Sequence, residues 1–359
     1  MITDTAAKEI KKAASLAANF MLSRPFYASV DITNFCNLRC DGCDYPLLLG
    51  QRQLGSDLPF EGIEARIEAL HKAFGSLVVV LAGFEPTVRT DLDDIIAAAS
   101  KHNYVGIVIN GTLIDRRKAA NMWKAGLLFA SVSLPTTEDK RFREITQVQR
   151  YGVRDIKNAI ETLIKTAPIF GKVAITVTID NQTTPAQMEE IIVYAESVGA
   201  AVSFQPYSAS KPASALTGYD VTADKRRITE ETLGTVFAGS LASIILELKR
   251  RHGHVIGRTV ALRNFDTFIR EGTIPFKPRS LKLYTNGNIG LYPERPAFSN
   301  IDIRLPEQVW QDYRRHVEEL RAQGPFRANN CYRCVNLTNP STPLGDIVGG
   351  LVRGFLKTI

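Results

Sequence analysis

The stretch whose reading decides the fold runs from Asp31 to Pro46, DITNFCNLRCDGCDYP, with thiols at Cys36, Cys40 and Cys43. It follows Tyr27 to Thr33 (YASVDIT), an apolar, β-rich run that predicts a strand. The spacing C-x3-C-x2-C lets a single loop wrap a cluster, and thiolates are the usual ligands of iron–sulfur centres. Three ligands on four irons leave one iron open to a substrate or cofactor, as an open position does on a catalytic zinc ion. A structural zinc site is the competing reading. It needs a fourth ligand, and no histidine lies within 25 residues of Cys43. The position of the loop also matters, because parallel α/β folds gather their sites at the C-terminal ends of strands.

Working outward, β-rich apolar runs recur at 77–83, 104–110, 129–134, 172–179 and 201–205. Helical patterns lie between them near 61–74, 91–102, 115–125, 153–167 and 186–198. Strands alternating with helices imply βαβ units and a parallel sheet with right-handed crossovers. Six units over 27–206 are too few for the closed eight-unit barrel and predict an α/β fold of partial (β/α)6 barrel type. A helix over 8–21 precedes them and stops before Pro25. Residues 207–226, rich in Ser, Ala, Pro and Gly, predict a long loop carrying Tyr207 and Tyr219. A helix follows over about 229–251. Asn286-Gly287 between Leu281–Tyr284 and Ile289–Tyr292 predicts a hairpin. A helix near 306–322 comes next. The expected organisation is an N-terminal helix (1–25), a barrel core (26–226), a helical connector (227–275) and a small α+β region (276–359).

The thiol loop after the first strand resembles the radical S-adenosylmethionine superfamily. In that family the cluster's open iron chelates the amino and carboxylate groups of S-adenosylmethionine. Reductive cleavage of the sulfonium then yields a 5′-deoxyadenosyl radical. The resemblance implies a 4Fe–4S cluster on Cys36, Cys40 and Cys43, S-adenosylmethionine as cofactor, and a flavodoxin- or ferredoxin-type electron donor. Further segments carry it. Gly83-Phe84-Glu85-Pro86-Thr87 resembles the family's Gly-Gly-Glu-Pro segment, where the acid holds the methionine ammonium. Asn110-Gly111-Thr112 is similar to its Thr-Asn-Gly turn. Ser131 and Ser133 match its serine-bearing strand, Arg150-Tyr151-Gly152 its Arg-Gly element, and Asn181 a common polar position after the fifth strand. The chain departs from the pattern twice. Phe84 replaces the second glycine. Gly42 replaces the aromatic residue before the third cysteine, a contact with adenine that Tyr45 is expected to supply instead. The product-radical quencher is not legible; Tyr207 and Tyr219 are the candidates.

Cys331 and Cys334 stand apart in the C-terminal region, which resembles the SPASM or twitch extensions of the same superfamily. Those extensions bind auxiliary iron–sulfur clusters. Here the hairpin has no cysteine, and two thiolates do not complete a four-cysteine site. A second cluster with other ligands, a zinc ion, or two thiols without metal all remain open.

The five cysteines, odd in number and clustered, argue against a disulfide framework. The formal net charge is +7 and the pI about 9.1. The basic residues are dispersed rather than clustered, so no nucleic-acid partner is expected. No apolar run approaches the roughly 20 residues that span a bilayer, and the N-terminus has no signal-peptide core. A cytoplasmic location is the default. The tail LGDIVGGLVRGFLKTI places Ile347, Leu351, Phe355 and others on one helical face. It and residues 8–21 are each read as a helix packed over the open barrel, or as a peripheral membrane contact. The functional expectation is a radical enzyme acting on a small molecule: a natural-product, sugar, nucleoside or isoprenoid intermediate. The alternatives are a ribosomal-peptide maturase, disfavoured by the absence of a leader-binding domain, and a non-catalytic zinc- or nucleic-acid-binding protein.

Overall fold

The computed structural model describes residues 4–41, 43, 45–46, 49, 55–207, 226–257, 259–271, 274–275, 278–291, 297–324 and 327–328. Tyr219, Cys331, Cys334 and the 344–359 tail lie outside them.

The alternation of apolar runs becomes six parallel strands: β1 (Tyr27–Asp31), β2 (Val78–Ala82), β3 (Tyr104–Ile109), β4 (Leu127–Ser133), β5 (Lys172–Ile179) and β6 (Ala201–Pro206). Each pairs with the next in sequence order. Sequential pairing through right-handed crossovers puts the connecting helices on one face of the sheet. These are α2 (Phe60–Phe74), α3 (Leu92–Ser100), α4 (Arg116–Lys124), α5 (Asp139–Thr146), α6 (Val153–Thr166) and α7 (Pro185–Val198), with α1 (Asp4–Met21) leading the chain. Local chemistry sets the helix ends. Thr184 and Gln187 form a capping box at α7, with Pro185 at its first position and Gly199 in a left-handed conformation after it.

The sheet is open and its two faces differ. Ala28, Val30, Val79, Leu81, Ile107, Val132, Ile175 and Val202 join the main core under the helices. The alternate residues face inward. At the N-terminal end of the inner face Tyr27 and Val80 are buried against Leu16 and Phe20 of α1, with Val78, Tyr104, Val108 and Phe129 packed alongside. The N-terminal helix therefore closes the lower mouth of the partial barrel, the packed alternative of the two expected for it. Among the described residues no helix is long and apolar enough to cross a membrane.

The connector is α8 (Glu230–Thr235), α9 (Leu241–Arg251), α10 (Thr259–Leu262) and α11 (Phe265–Glu271). The single helix expected over 229–251 is thus two. Ser240 interrupts it by capping α9 through its hydroxyl. After α9 the chain runs beside β6, where Val202 N–H donates to His254 O (2.8 Å) and Ile256 N–H to Val202 O (2.8 Å).

A short β7 (Ile274–Pro275) pairs with β11 (Arg327–Ala328). The hairpin forms as β8 (Ser280–Leu283) and β9 (Asn288–Leu291), followed by β10 (Ala297–Asn300) and α12 (Pro306–Ala322). The hairpin does not make a sheet of its own. β8 pairs parallel with β1, so the sheet reads β10-β9-β8-β1-β2-β3-β4-β5-β6. Strands β8 to β10 of the C-terminal region therefore continue the core sheet.

Candidate active site

The site is built where β1, β2 and β3 end. Arg89 ties the β1 and β2 exits together. It donates to Ile32 O (3.0 Å), Leu58 O (3.0 Å) and the Asp91 carboxylate (2.8 and 2.5 Å). Asp57 accepts from the Thr33 hydroxyl and the Asn34 N–H, both at 2.6 Å. At the end of β2 the chain passes very close to the β1 exit. Gly83 has φ +110°, and a Cβ there would lie 2.5 Å from Thr33 O. Only glycine fits that backbone and that approach.

The thiol loop hangs from these exits and is held on three sides. Its base contacts the end of β3: Asn110 Nδ2 donates to Asn37 Oδ1 (2.8 Å), Asn37 Nδ2 to Thr112 Oγ1 (2.7 Å), and Asn110 Nδ2 lies 4.0 Å from Cys36 Sγ. On one flank the last carbonyls of α5 accept from the loop, Thr146 O from Arg39 N–H (3.1 Å) and Ile145 O from Asp41 N–H (2.7 Å). A helix leaves such carbonyls without partners, and here the loop supplies them. On the other flank Arg226 Nη1 donates to Asp41 O (2.8 Å).

None of the three thiols is disulfide-bonded. Burial pushes the Cys36 thiol up to about 11 and the Cys40 thiol up to about 12, and nearby negative charge adds to the rise, from Glu85 and Cys43 at Cys36 and from Cys43 and Cys36 at Cys40. Among the described residues no group of three or more His, Cys, Asp or Glu is arranged to hold a metal ion. Buried thiols such as Cys36 and Cys40 ionise readily only beside a cationic, thiophilic centre, and three thiols on one loop suit an iron–sulfur cluster.

Glu85 is wholly buried at the strand-end turn. Its Oε1 accepts from the Thr87 N–H (3.1 Å) and from the Thr87 hydroxyl, and its Oε2 from the Asn110 N–H (2.6 Å). A carboxylate offers about four acceptor positions, so one on Oε2 remains. Burial raises the carboxyl to about 7 against these hydrogen bonds and the charge of Lys118. No described Lys or Arg makes an ion pair with it. A buried acid with a vacant acceptor position and no cation of its own fits an incoming ammonium.

The other residues singled out from the sequence fall as follows. Tyr45 is buried and its ring lies 4.8 Å from that of Phe84, with the Arg39 guanidinium 4.9 Å above it. Phe84 therefore packs on the residue expected to compensate for Gly42. The Ser131 and Thr176 hydroxyls share a 2.6 Å hydrogen bond inside the sheet, and Ser133 is half-buried beside them. Arg150 is exposed and lies over Tyr151; the Tyr151 hydroxyl, 3.4 Å from Asn37 Nδ2, is what reaches the thiol loop from that element. Asn181 N–H donates to Arg226 O (3.2 Å), and Tyr207 is buried with the Arg226 guanidinium 4.7 Å over its ring.

Sequence reasoning missed α5, Asn37, Asp57 and Arg226. Asn37 carried a usable signal, its place between Cys36 and Cys40. Arg226 carried none, since its partners Asp41 and Asp180 lie 185 and 46 residues away.

An open parallel sheet with a three-thiol loop at its C-terminal mouth and a buried acid at the next strand end defines a class of iron–sulfur α/β-barrel enzymes. Residues 30–195 match the family model of the Radical SAM superfamily, whose cofactors are a 4Fe–4S cluster and S-adenosylmethionine. Among curated proteins, a probable GTP 3′,8-cyclase of Methanocella arvoryzae is 33% identical over 118 residues, covering 33% of this chain and 37% of the relative. The Fe-coproporphyrin III synthase of Methanosarcina barkeri is 32% identical over 162 residues, covering 44% and 40%. The matched part thus spans about two fifths of these relatives. Among solved structures, Streptococcus suis SuiB, bound to its precursor peptide SuiA or to S-adenosylmethionine, superposes with a TM-score of 0.58 at 18% identity. It covers 86% of this chain and 69% or 71% of SuiB; the likeness is one of fold.

Proposed function

We propose that the protein cleaves S-adenosylmethionine reductively on a 4Fe–4S cluster held by Cys36, Cys40 and Cys43 and uses the radical on a small polar substrate. The observation that carries the reading is the thiol loop sited beside the buried acceptor Glu85, the two being joined through Asn110. When bound, the cluster and S-adenosylmethionine supply one-electron cleavage of the sulfonium to a 5′-deoxyadenosyl radical. The chain's own residues do the rest. Glu85 receives the methionine ammonium on its remaining acceptor position. Asn110 and Asn37 set the loop against the end of β3, and Tyr45 offers an aromatic contact for the adenine.

The inner face bears on the substrate. Above the apolar floor made with α1, it carries Ser29, Asp31 and Lys282 on the neighbouring strands β1 and β8, and Ser133, Thr176, Thr178, Ser203 and Gln205 on β4 to β6, with β2 and β3 between the two groups. A wall of hydroxyls, an amide and an Asp–Lys pair suits a polar, hydrogen-bonding molecule and disfavours an isoprenoid chain. The relatives' names, one for GTP and one for a coproporphyrin, point to small molecules too.

The test is anaerobic reconstitution with iron and sulfide, iron counting, and chromatographic detection of 5′-deoxyadenosine after reduction. About four irons per chain and 5′-deoxyadenosine are expected, both lost in Cys36→Ala. A wild-type protein that takes up no cluster, or a Cys36→Ala variant that still cleaves the cofactor, defeats the proposal.

A further inference from the structure

Arg226 is buried, and its guanidinium serves several partners at once. Nε donates to Asp180 Oδ2 (2.9 Å) and Nη1 to Asp41 O (2.8 Å), while the group lies 4.7 Å over the Tyr207 ring. Asp180, also buried, is shared with Arg141, whose Nη2 donates to the same oxygen at 2.7 Å. Burial alone would raise the Asp180 carboxyl; the two guanidinium groups outweigh it and hold it below its ordinary value. Arg141 also pairs with Glu144 (3.5 Å), but that carboxylate is 48% exposed and screened by water; within the buried part, one carboxylate between two guanidinium groups leaves a net positive charge. The part of it on Arg226 touches the peptide carbonyl between Cys40 and Cys43. Asp41 is thereby gripped from both sides, its N–H by Ile145 O and its carbonyl by Arg226. Arg39 is the other cation at the loop, but it is exposed, so water and salt screen it.

We propose that Arg226 is a positioning residue whose buried charge raises the reduction potential of the cluster on the Cys36–Cys43 loop. Reduction adds one electron to the cluster from a low-potential one-electron donor, making the site more negative by one unit. A fixed cation in a water-poor setting favours that product, and net charge and hydrogen bonding around a cluster are known levers on its potential. The inference rests on the cluster reading of the three cysteines.

The experiment is a dithionite titration of the reconstituted full chain followed by electron paramagnetic resonance, with iron counted in every sample. A cluster absent from the wild type would defeat the function proposed above and this inference with it. With a cluster present, Arg226→Gln should keep its iron and become at least tenfold harder to reduce, a fall of about 59 mV for one electron. Arg226→Lys should recover much of the shift, because the charge returns without the fork. Arg227→Gln, which removes the same charge from the exposed neighbouring residue, should leave the potential at the wild-type value. If Arg226→Gln loses its iron, Asp180→Asn decides: removing the anion should raise the potential. A wild-type potential in iron-replete Arg226→Gln, an unchanged or lowered potential in Asp180→Asn, or loss of iron in Arg226→Lys as well would overturn the inference and leave Arg226 a strap of the fold.

Discussion

At the scale of single residues, Glu85 serves fold and chemistry together. It accepts the backbone N–H groups of Thr87 and Asn110 and so joins the 3-10 turn after β2 to the end of β3. Burial raises its carboxyl to about 7. A raised acid binds its proton more tightly folded than unfolded. Its contribution to stability is therefore full below the unfolded value of about 4.3 and declines as pH climbs through about 7. The ammonium of S-adenosylmethionine should reverse that cost, so its affinity should rise with pH as Glu85 ionises. We expect Glu85→Gln to keep cluster iron, to bind the cofactor at least tenfold more weakly (about 1.4 kcal/mol) and to lose the pH dependence. Calorimetric titration from pH 6 to 8 checks this, and a binding curve matching wild type would remove Glu85 from the cofactor site. The Gly-Phe-Glu-Pro stretch could be read from its order after a strand. Its closeness to Thr33 could not, because that distance is set by how β1 and β2 register.

At the scale of elements, periodicity located β1 to β6 and most helices, since apolar spacing is a property of a short window. It missed α5 because DKRFREIT is mostly charged and offers only a narrow apolar face, Phe142 and Ile145. That helix presents its last carbonyls to the thiol loop. A second device fastens the connector. His252 sits between Glu189 (Nε2, 3.1 Å) and Glu196 (Nδ1, 3.0 Å), both on α7, and Arg251 also pairs with Glu189. Hydrogen bonds to Glu189 and then Glu196 raise the His252 pKa against a small opposing effect of burial. The raised value means that the latch's contribution is complete below the unfolded histidine value of about 6.5 and fades as pH rises through the higher folded value. Urea denaturation of wild type and His252→Gln should therefore show the larger gap near pH 5.5 and a shrinking one above pH 8. An equal gap at both pH values would show that the imidazole only fills space.

At the scale of the molecule, the decisive event is the docking of β8 beside β1. It makes β1 a central strand and brings Lys282 to Asp31 (2.5 Å), with Ser29 3.4 Å away, on the inner face. Both charges are mostly withdrawn from water, their side chains 11% and 16% exposed. Removing one partner of such a pair strands the other and costs about 3–5 kcal/mol, while replacing both with apolar groups restores much of the loss. Asp31→Asn should accordingly lower the denaturation midpoint more than the double variant Asp31→Leu/Lys282→Met. A double variant as unstable as the single would show that the pair does not act as a unit. The sequence by itself determined the order of strands and helices, the three-thiol loop and its place after β1, because these are written in windows of a dozen or so residues. Only the tertiary structure decided that β8 extends the core sheet, that Arg226 reaches the thiol loop, and that Lys282 faces Asp31. Those partners stand 185 and 251 residues apart, and contacts at such separations depend on strand register and on burial shared by the whole sheet, for which no local pattern exists.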